Sequence, residues 1–371
     1  MEKYLIWLSQ VKGIGPILQK KLLEVFESPE AVYHAHRAEL MAVQGIGPAA
    51  ADSILNSLSL EQADRILEKA DKLKIRILSC FNPLYPEPVK KLPRSPIILY
   101  YIGSIKKNSM GVCIVGARRC TGYGKTVTRE AAEFLAEEGI PVISGMAKGI
   151  DGYAHTACIK RGGYTLAFVA GGADVCYPKE HRELREAVIQ NGAVISQYPP
   201  NTQARANQFP VRNYLMSAWS HKVLVVEAGE KSGSLITARL AADQEKQVLA
   251  VPNSIYSTES RGTNRLIANG AEIYLEKRQL LINHKKGFVP QLENKKESNH
   301  IKKNVNLNLE VKKTFSPIEK KIWELIAEKP QQIEKLSLSF SDRLSFLEVL
   351  SIMELEGKIE RLPGGMVRKI G

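Results

Sequence analysis

No apolar run in this 371-residue chain reaches the roughly 20 residues that a bilayer-spanning helix needs. The amino-terminal MEKYLIWLSQVKGIG has too short an apolar core for a signal peptide. The expectation is a cytoplasmic protein that does not enter membranes. Cysteine is scarce: Cys80, Cys113, Cys120, Cys158 and Cys176 are odd in number, scattered and never in a CxxC pair, which argues against disulfides and against a thiolate metal site. Cys113 and Cys176 lie in or beside apolar strand patterns and read as buried small hydrophobes. Cys120 sits among cations that favour a thiolate, but its loop holds no histidine to serve as a base. Two nucleotide fingerprints are also missing. Gly124-Lys125-Thr126 ends like GxxxxGK[ST], but Arg119 stands where that loop requires glycine, and no GxGxxG follows the first strand of the sheet. Nor is there an HxxEH helix, a Ser/His/Asp arrangement or a paired-carboxylate pattern. No catalytic residue, metal ligand or cofactor is nominated, and His155 reads as a packed histidine.

Positive charge, by contrast, is abundant. Lys+Arg number 52 against 39 Asp+Glu, a formal +13, which favours nucleic acid or another acidic partner, although basic membrane-surface proteins share the signature. With 44% hydrophobic residues the chain can hold more than one domain, one with a sizeable core. From Gly111 to Glu272 short apolar strands alternate with helical patterns; the strands are expected at 112–115, 141–143, 164–169, 193–196, 223–227, 247–251 and 272–275. Continuous strands with helical crossovers mean a parallel sheet covered on both faces, a Rossmann-like doubly wound α/β domain. The loops GARRCTGYGKT, SGMAKGID, AGGADVCYP, FPVRN, EAGEKSGSLITA and RGTN then fall at the carboxyl edge of that sheet, where such folds bind ligands. Arg118, Arg119, Lys148, Lys179, Arg212, Lys231 and Arg261 give that edge its charge, as a long polyanion requires.

The flanks differ in pattern. Residues 1–73 are helical and contain an echo, Val11-Lys12-Gly13-Ile14-Gly15-Pro16 against Val43-Gln44-Gly45-Ile46-Gly47-Pro48. It resembles a tandem helix-hairpin-helix (SAM-like) domain, whose turns either present N–H groups to a phosphate or simply join packed helices; the second copy has no cation following it. The middle domain is placed at 80–282, with IILYYIG as a connector into the sheet. Residues 283–313, rich in lysine pairs, read as a basic flexible linker. The last module, 314–371, opens with the capping box Ser316-Pro317-Ile318-Glu319. An apolar face of Ile318, Ile322, Leu325 and Ile326, a helix over 342–356 ending at Gly357, and a ribbon around Gly364-Gly365 complete a winged-helix pattern. That helix sets Arg343 against Asp342, Glu348, Glu354 and Glu356, the wrong charge for a DNA reader, so the module is expected to fold back on its own chain or to meet a protein partner.

Taken together, IVGARRCTGYG, SGMAKGIDGYAH, AGGADVCYPKEH, FPVRN, VVEAGEKSGSLITARLA and GTNRLIANGA resemble, in order and spacing, the DNA-processing protein A (DprA/Smf) family. The resemblance implies a dimeric, non-enzymatic protein that binds single-stranded DNA, protects incoming strands in natural transformation and loads a RecA-type recombinase. By motif, Arg118 and Lys179 are the implied principal phosphate ligands, and Phe209 offers a ring to an unstacked base with Arg212 and Asn213 in support. Lys231, Ser232, Gly233 and Ser234 add donors at a helix start, and Gly116, Arg119, Tyr123, Gly124, Gly145, Lys148 and Gly149 complete the implied DNA-binding set. The chain departs from the family pattern at Tyr214, Gln197 and Asn253; Tyr214 replaces a usual arginine and is expected to stack instead. Two other readings stay open: a nucleotide-cleaving phosphoribohydrolase-like enzyme, although SGSLITA lacks the required carboxylate, and a double-stranded DNA-binding regulator. Asp151 and Asp174 are read as loop-structuring.

Overall fold

Proline and glycine set the helix starts of the amino-terminal module. Its helices are α1 (Glu2–Gln10), α2 (Pro16–Phe26), α3 (Pro29–His34), α4 (Arg37–Ala42), α5 (Pro48–Leu55) and α6 (Glu61–Lys72). Pro16 and Pro48 occupy the first turns of α2 and α5, where the missing N–H has no intrahelical partner to lose. The two echoed turns each place a glycine at positive φ, Gly13 at 81° and Gly45 at 95°. No cation follows the second turn in the chain, but α2 brings one to it: Lys21 Nζ donates to the Gln44 carbonyl at 3.2 Å. The structure is a computed structural model describing residues 1–282, 316–327, 329–355, 358–362 and 364–369. The linker at 283–313 and the helix stop at Gly357 lie outside the described residues.

Next come β1 (Arg76–Ser79), α7 (Glu87–Lys91) and β2 (Ile98–Gly103), then β3 (Gly111–Val115), α8 (Gly122–Glu137), β4 (Val142–Ser144), α9 (Ile150–Lys160) and β5 (Thr165–Phe168). The alternation continues through α10 (Arg182–Asn191), β6 (Gly192–Ser196), α11 (Gln208–Ala218), β7 (Ser220–Val225), α12 (Gly233–Asp243), β8 (Gln247–Ala250), α13 (Arg261–Ala268) and β9 (Glu272–Ile273). One sheet runs β1-β2-β6-β5-β4-β3-β7-β8-β9. The seven strands read from the sequence are all present and parallel. The segment read as a connector is instead β2, antiparallel to both β1 and β6, so the sheet is mixed. Leu99, Tyr100 and Tyr101 are all buried there, as expected of a strand covered on both faces.

Side chains alternate across β3. Val112 and Ile114 pack with Ala131 and Leu135 of α8 on one face, while Cys113 and Val115 join Leu215, Trp219 and Ala241 on the other. This second cluster continues without a break into Leu5, Leu8 and Leu22 of the amino-terminal helices.

The carboxyl-terminal module contains α14 (Pro317–Leu325), β10 (Gln331–Gln332), α15 (Ile333–Ser337), α16 (Arg343–Leu355), β11 (Ile359–Leu362) and β12 (Met366–Lys369), with a small antiparallel sheet ordered β10-β12-β11. Ser316 Oγ accepts from the Glu319 N–H at 3.2 Å, and the Glu319 carboxylate accepts from the Ser316 N–H at 2.7 Å, closing the capping box. Ile322 and Ile326 enter the module's core. Leu325 does not belong to that face: it is 38% exposed. The module folds back so that α16 packs against α11.

Candidate nucleic-acid interface

The order of the parallel strands reverses at β3, with β4 on one side and β7 on the other. Loops leaving two such strands diverge and open a crevice. Here the crevice is a cleft of about 530 Å³. The loop after β3 supplies Gly116, Arg118 and Arg119, the start of α12 supplies Lys231, Ser232, Gly233 and Ser234, and α11 supplies Phe209, Arg212 and Asn213 between them. Ten of the residues singled out in the sequence thus meet in one place.

Their environments differ. Arg118, Arg119 and Lys231 are exposed. The Arg118 guanidinium lies 5.7 Å from the centre of the half-buried Phe209 ring, which also meets Tyr177 edge to face at 5.7 Å. Ser232 caps α12, its Oγ accepting from the Ser234 N–H at 3.4 Å, and the first-turn N–H groups of that helix favour an anion at this end. A smaller hollow of about 70 Å³ shares Arg118, Phe209 and Arg212 and adds Gly145, Lys148 and Tyr177. Lys148 pairs with Glu180 at 2.8 Å.

Arg212 is only 5% exposed, and three of its bonds turn into the protein. Nη1 donates to the carbonyls of Gly145 and, at 3.0 Å, Phe168, and Nε donates to Asn213 Oδ1 at 3.0 Å. Burial lowers the guanidinium's pKa, and the neighbouring Asp151 partly offsets this. Asp151, itself raised by burial, accepts from the Gly145 and Ala147 N–H groups at 3.2 and 3.3 Å. It structures the loop, as read from the sequence. A Cβ at Gly145 would strike Arg212 Nη1, and Gly149, at φ 78°, lies against the Ala117 carbonyl. Both glycines serve close approach of the loops.

The start of α8 already holds an anion. Glu227, fully buried, accepts from the Thr121 N–H at 2.9 Å and from Thr121 Oγ1 at 2.5 Å, and its carboxylate occupies the space a Cβ on Gly124 would need. Gly124 is buried against that carboxylate. Tyr123 donates its hydroxyl to the Pro252 carbonyl at 3.0 Å. Tyr123, Gly124, Gly149 and Lys179 line neither hollow, and Lys179 is exposed on the turn after Pro178.

Three sequence expectations are corrected. Tyr214 does not stack at the site: it is 6% exposed, belongs to the core and accepts from the Arg94 N–H at 3.3 Å. The Cys120 thiol is pushed up, first by burial and then by Glu227, so the nearby cations do not make it a thiolate. Cys176, expected to be buried, lies only half-buried in the loop after β5. His155 is the packed histidine expected, fully buried with Nδ1 2.7 Å from Thr165 Oγ1. Sequence reasoning missed Glu227, whose motif offered only VVEAG, and Asp342, Ser345 and Glu348, which form part of the cleft wall. No metal-holding cluster of His, Cys, Asp or Glu occurs among the described residues, and none of their helices is long and apolar enough to cross a membrane.

A doubly wound sheet with a cationic, aromatic-lined crevice at its switch point defines a class of anion-binding α/β proteins. Within it the chain belongs to the family described as DNA recombination-mediator protein A, which matches residues 76–285; residues 7–61 match a SAM-like helix-hairpin-helix tandem. Protein Smf of Synechocystis sp. is 36% identical over 299 residues, 79% of this chain and 74% of that protein. The X-ray structure of DNA processing protein A from Streptococcus pneumoniae is similar with a TM-score of 0.68 and 28% identity, over 77% of this chain and 99% of that one. DNA processing protein A from Helicobacter pylori, whose structure is described for its single-stranded DNA binding mode, gives a TM-score of 0.51 and 29% identity, over 56% of this chain and 93% of that one.

Proposed function

We propose that this protein binds single-stranded DNA along the carboxyl edge of its sheet without altering it chemically. The observation that carries the reading is the exposed Arg118 guanidinium beside the Phe209 ring, with the start of α12 bordering the same cleft. A cation and an aromatic face side by side suit a phosphate and its unstacked base, independent of sequence. Lys179 and Lys148, exposed beyond the cleft, would extend the track, and Arg212 would brace it. Family membership and the described strand binding of the Helicobacter pylori relative support the same reading. With this reading go a RecA-type recombinase as partner, action on incoming strands in transformation, a homodimeric state and a cytoplasmic site of action, as the motif resemblance implies. Asp151 in the cleft and Glu227 at the start of α8 are committed to loop amides and to Thr121, which supports a binding rather than a hydrolytic role.

Fluorescence anisotropy with a labelled oligo-dT and a duplex of equal length, across salt, tests this. Preference for the single strand with a steep salt dependence is expected, and Phe209→Ala should cost about 1–3 kcal/mol of binding. Equal affinity of the wild type, Arg118→Ala and Phe209→Ala would remove the cleft from the function.

A further inference from the structure

We infer that the carboxyl-terminal module gates the cleft, α16 presenting Asp342, Ser345 and Glu348 to the cations that a strand's phosphates would engage. The inference rests on the strand-binding reading of the cleft. These three residues, spaced three apart at the start of α16, line the same cleft as Arg118, Arg119 and Lys231. The helix carrying them packs on α11, which bears Phe209 and Arg212. Glu348 is half-buried in this position; burial raises its carboxyl's pKa, and Arg118 pulls it back in part. The contact extends past the rim: Arg239 of α12 lies 3.8 Å from Glu319 of α14, and Ile352 of α16 is buried although it is not part of the module's own core.

Wall carboxylates and strand phosphates would share the field of the same cations. A polyanion entering the cleft meets Asp342 and Glu348 at its wall, like charges whose juxtaposition opposes docking. Strand binding then requires the module to move aside, and the apparent affinity falls by the fraction of molecules that are open. The occupant of the closed cleft is a segment of this chain, and its charge is the complement of the wall it faces.

The test uses the full chain and a labelled oligo-dT at fixed salt. Glu348→Gln and the double variant Asp342→Asn/Glu348→Gln keep side-chain shape, and Asn preserves the helix cap. The double variant is expected to bind about three- to tenfold more tightly than wild type. In the wild type, hydrogen exchange across 343–354 is expected to speed up when the oligonucleotide is added. Variants that bind with wild-type or weaker affinity, or an α16 that becomes better protected with the strand bound, would overturn the gate while leaving strand binding intact. If neither wild type nor variants bind the oligonucleotide, the strand-binding reading itself fails and the gate falls with it.

Discussion

Arg118 and Arg212 carry the same charge and border the same cleft, yet their surroundings give them different work. Arg118 is exposed at the cleft wall; Arg212 is enclosed and hydrogen-bonded to the ends of two strands. Arg118→Ala is expected to weaken binding to every strand sequence alike, flatten the salt dependence by about one counterion, and leave the thermal midpoint unchanged. Arg212→Ala is expected instead to lower stability in urea titrations by roughly 3 kcal/mol, because it strands the Asp151 carboxylate in a buried site. His155 gives a second residue-level prediction. Burial pulls its pKa down to about 3, below the unfolded value near 6.5, so the folded chain resists the proton that the unfolded chain takes up. Its contribution is fully present above about pH 6.5 and is lost as pH falls toward 3. His155→Asn should flatten that part of the profile of melting temperature against pH relative to wild type.

At the scale of elements, α8 shows how an internal group can take the place of a ligand. Its amino terminus follows a glycine loop of the kind that cradles phosphates, but Glu227, two residues past the end of the neighbouring β7, faces the helix end and bonds Thr121. Glu227→Ala should lower stability by about 1–3 kcal/mol, by leaving the Thr121 amide unpaired, with a smaller effect on strand affinity than Phe209→Ala; denaturation and anisotropy measured side by side check this. No pattern in the sequence announces such a contact, since Thr121 and Glu227 are brought together only when β3 and β7 pair. The seven parallel strands, by contrast, are legible because strands buried on both faces leave continuous apolar runs. The antiparallel β2 has the same run, but it stands ahead of the alternating strand–helix pattern, and its partner β1 is short and half-exposed. Tyr214 misled in the opposite direction: its place beside the FPVRN motif suggested the site, whereas helical periodicity turns it into the core behind.

Across the whole molecule, the cores predict how the chain comes apart. One cluster joins the amino-terminal helices to the sheet, and Lys20 of α2 donates to the Lys90 and Leu92 carbonyls at 2.7 and 2.5 Å. The carboxyl-terminal module has a cluster of its own. Calorimetry with hydrogen exchange is expected to show residues 1–282 unfolding as one cooperative unit and the carboxyl-terminal module as another; separate melting of the first helices would refute the shared core. The reversal of strand order at β3 bears also on the chain's birth. Arg118 and Lys231 border one cleft although more than a hundred residues separate them. A ribosome releasing the chain from its amino end therefore delivers one wall long before the other, and no binding site exists until β7 has docked beside β3. The acidic helix that lines the finished cleft is made later still, so each new molecule passes through an interval in which its cleft is complete and uncovered.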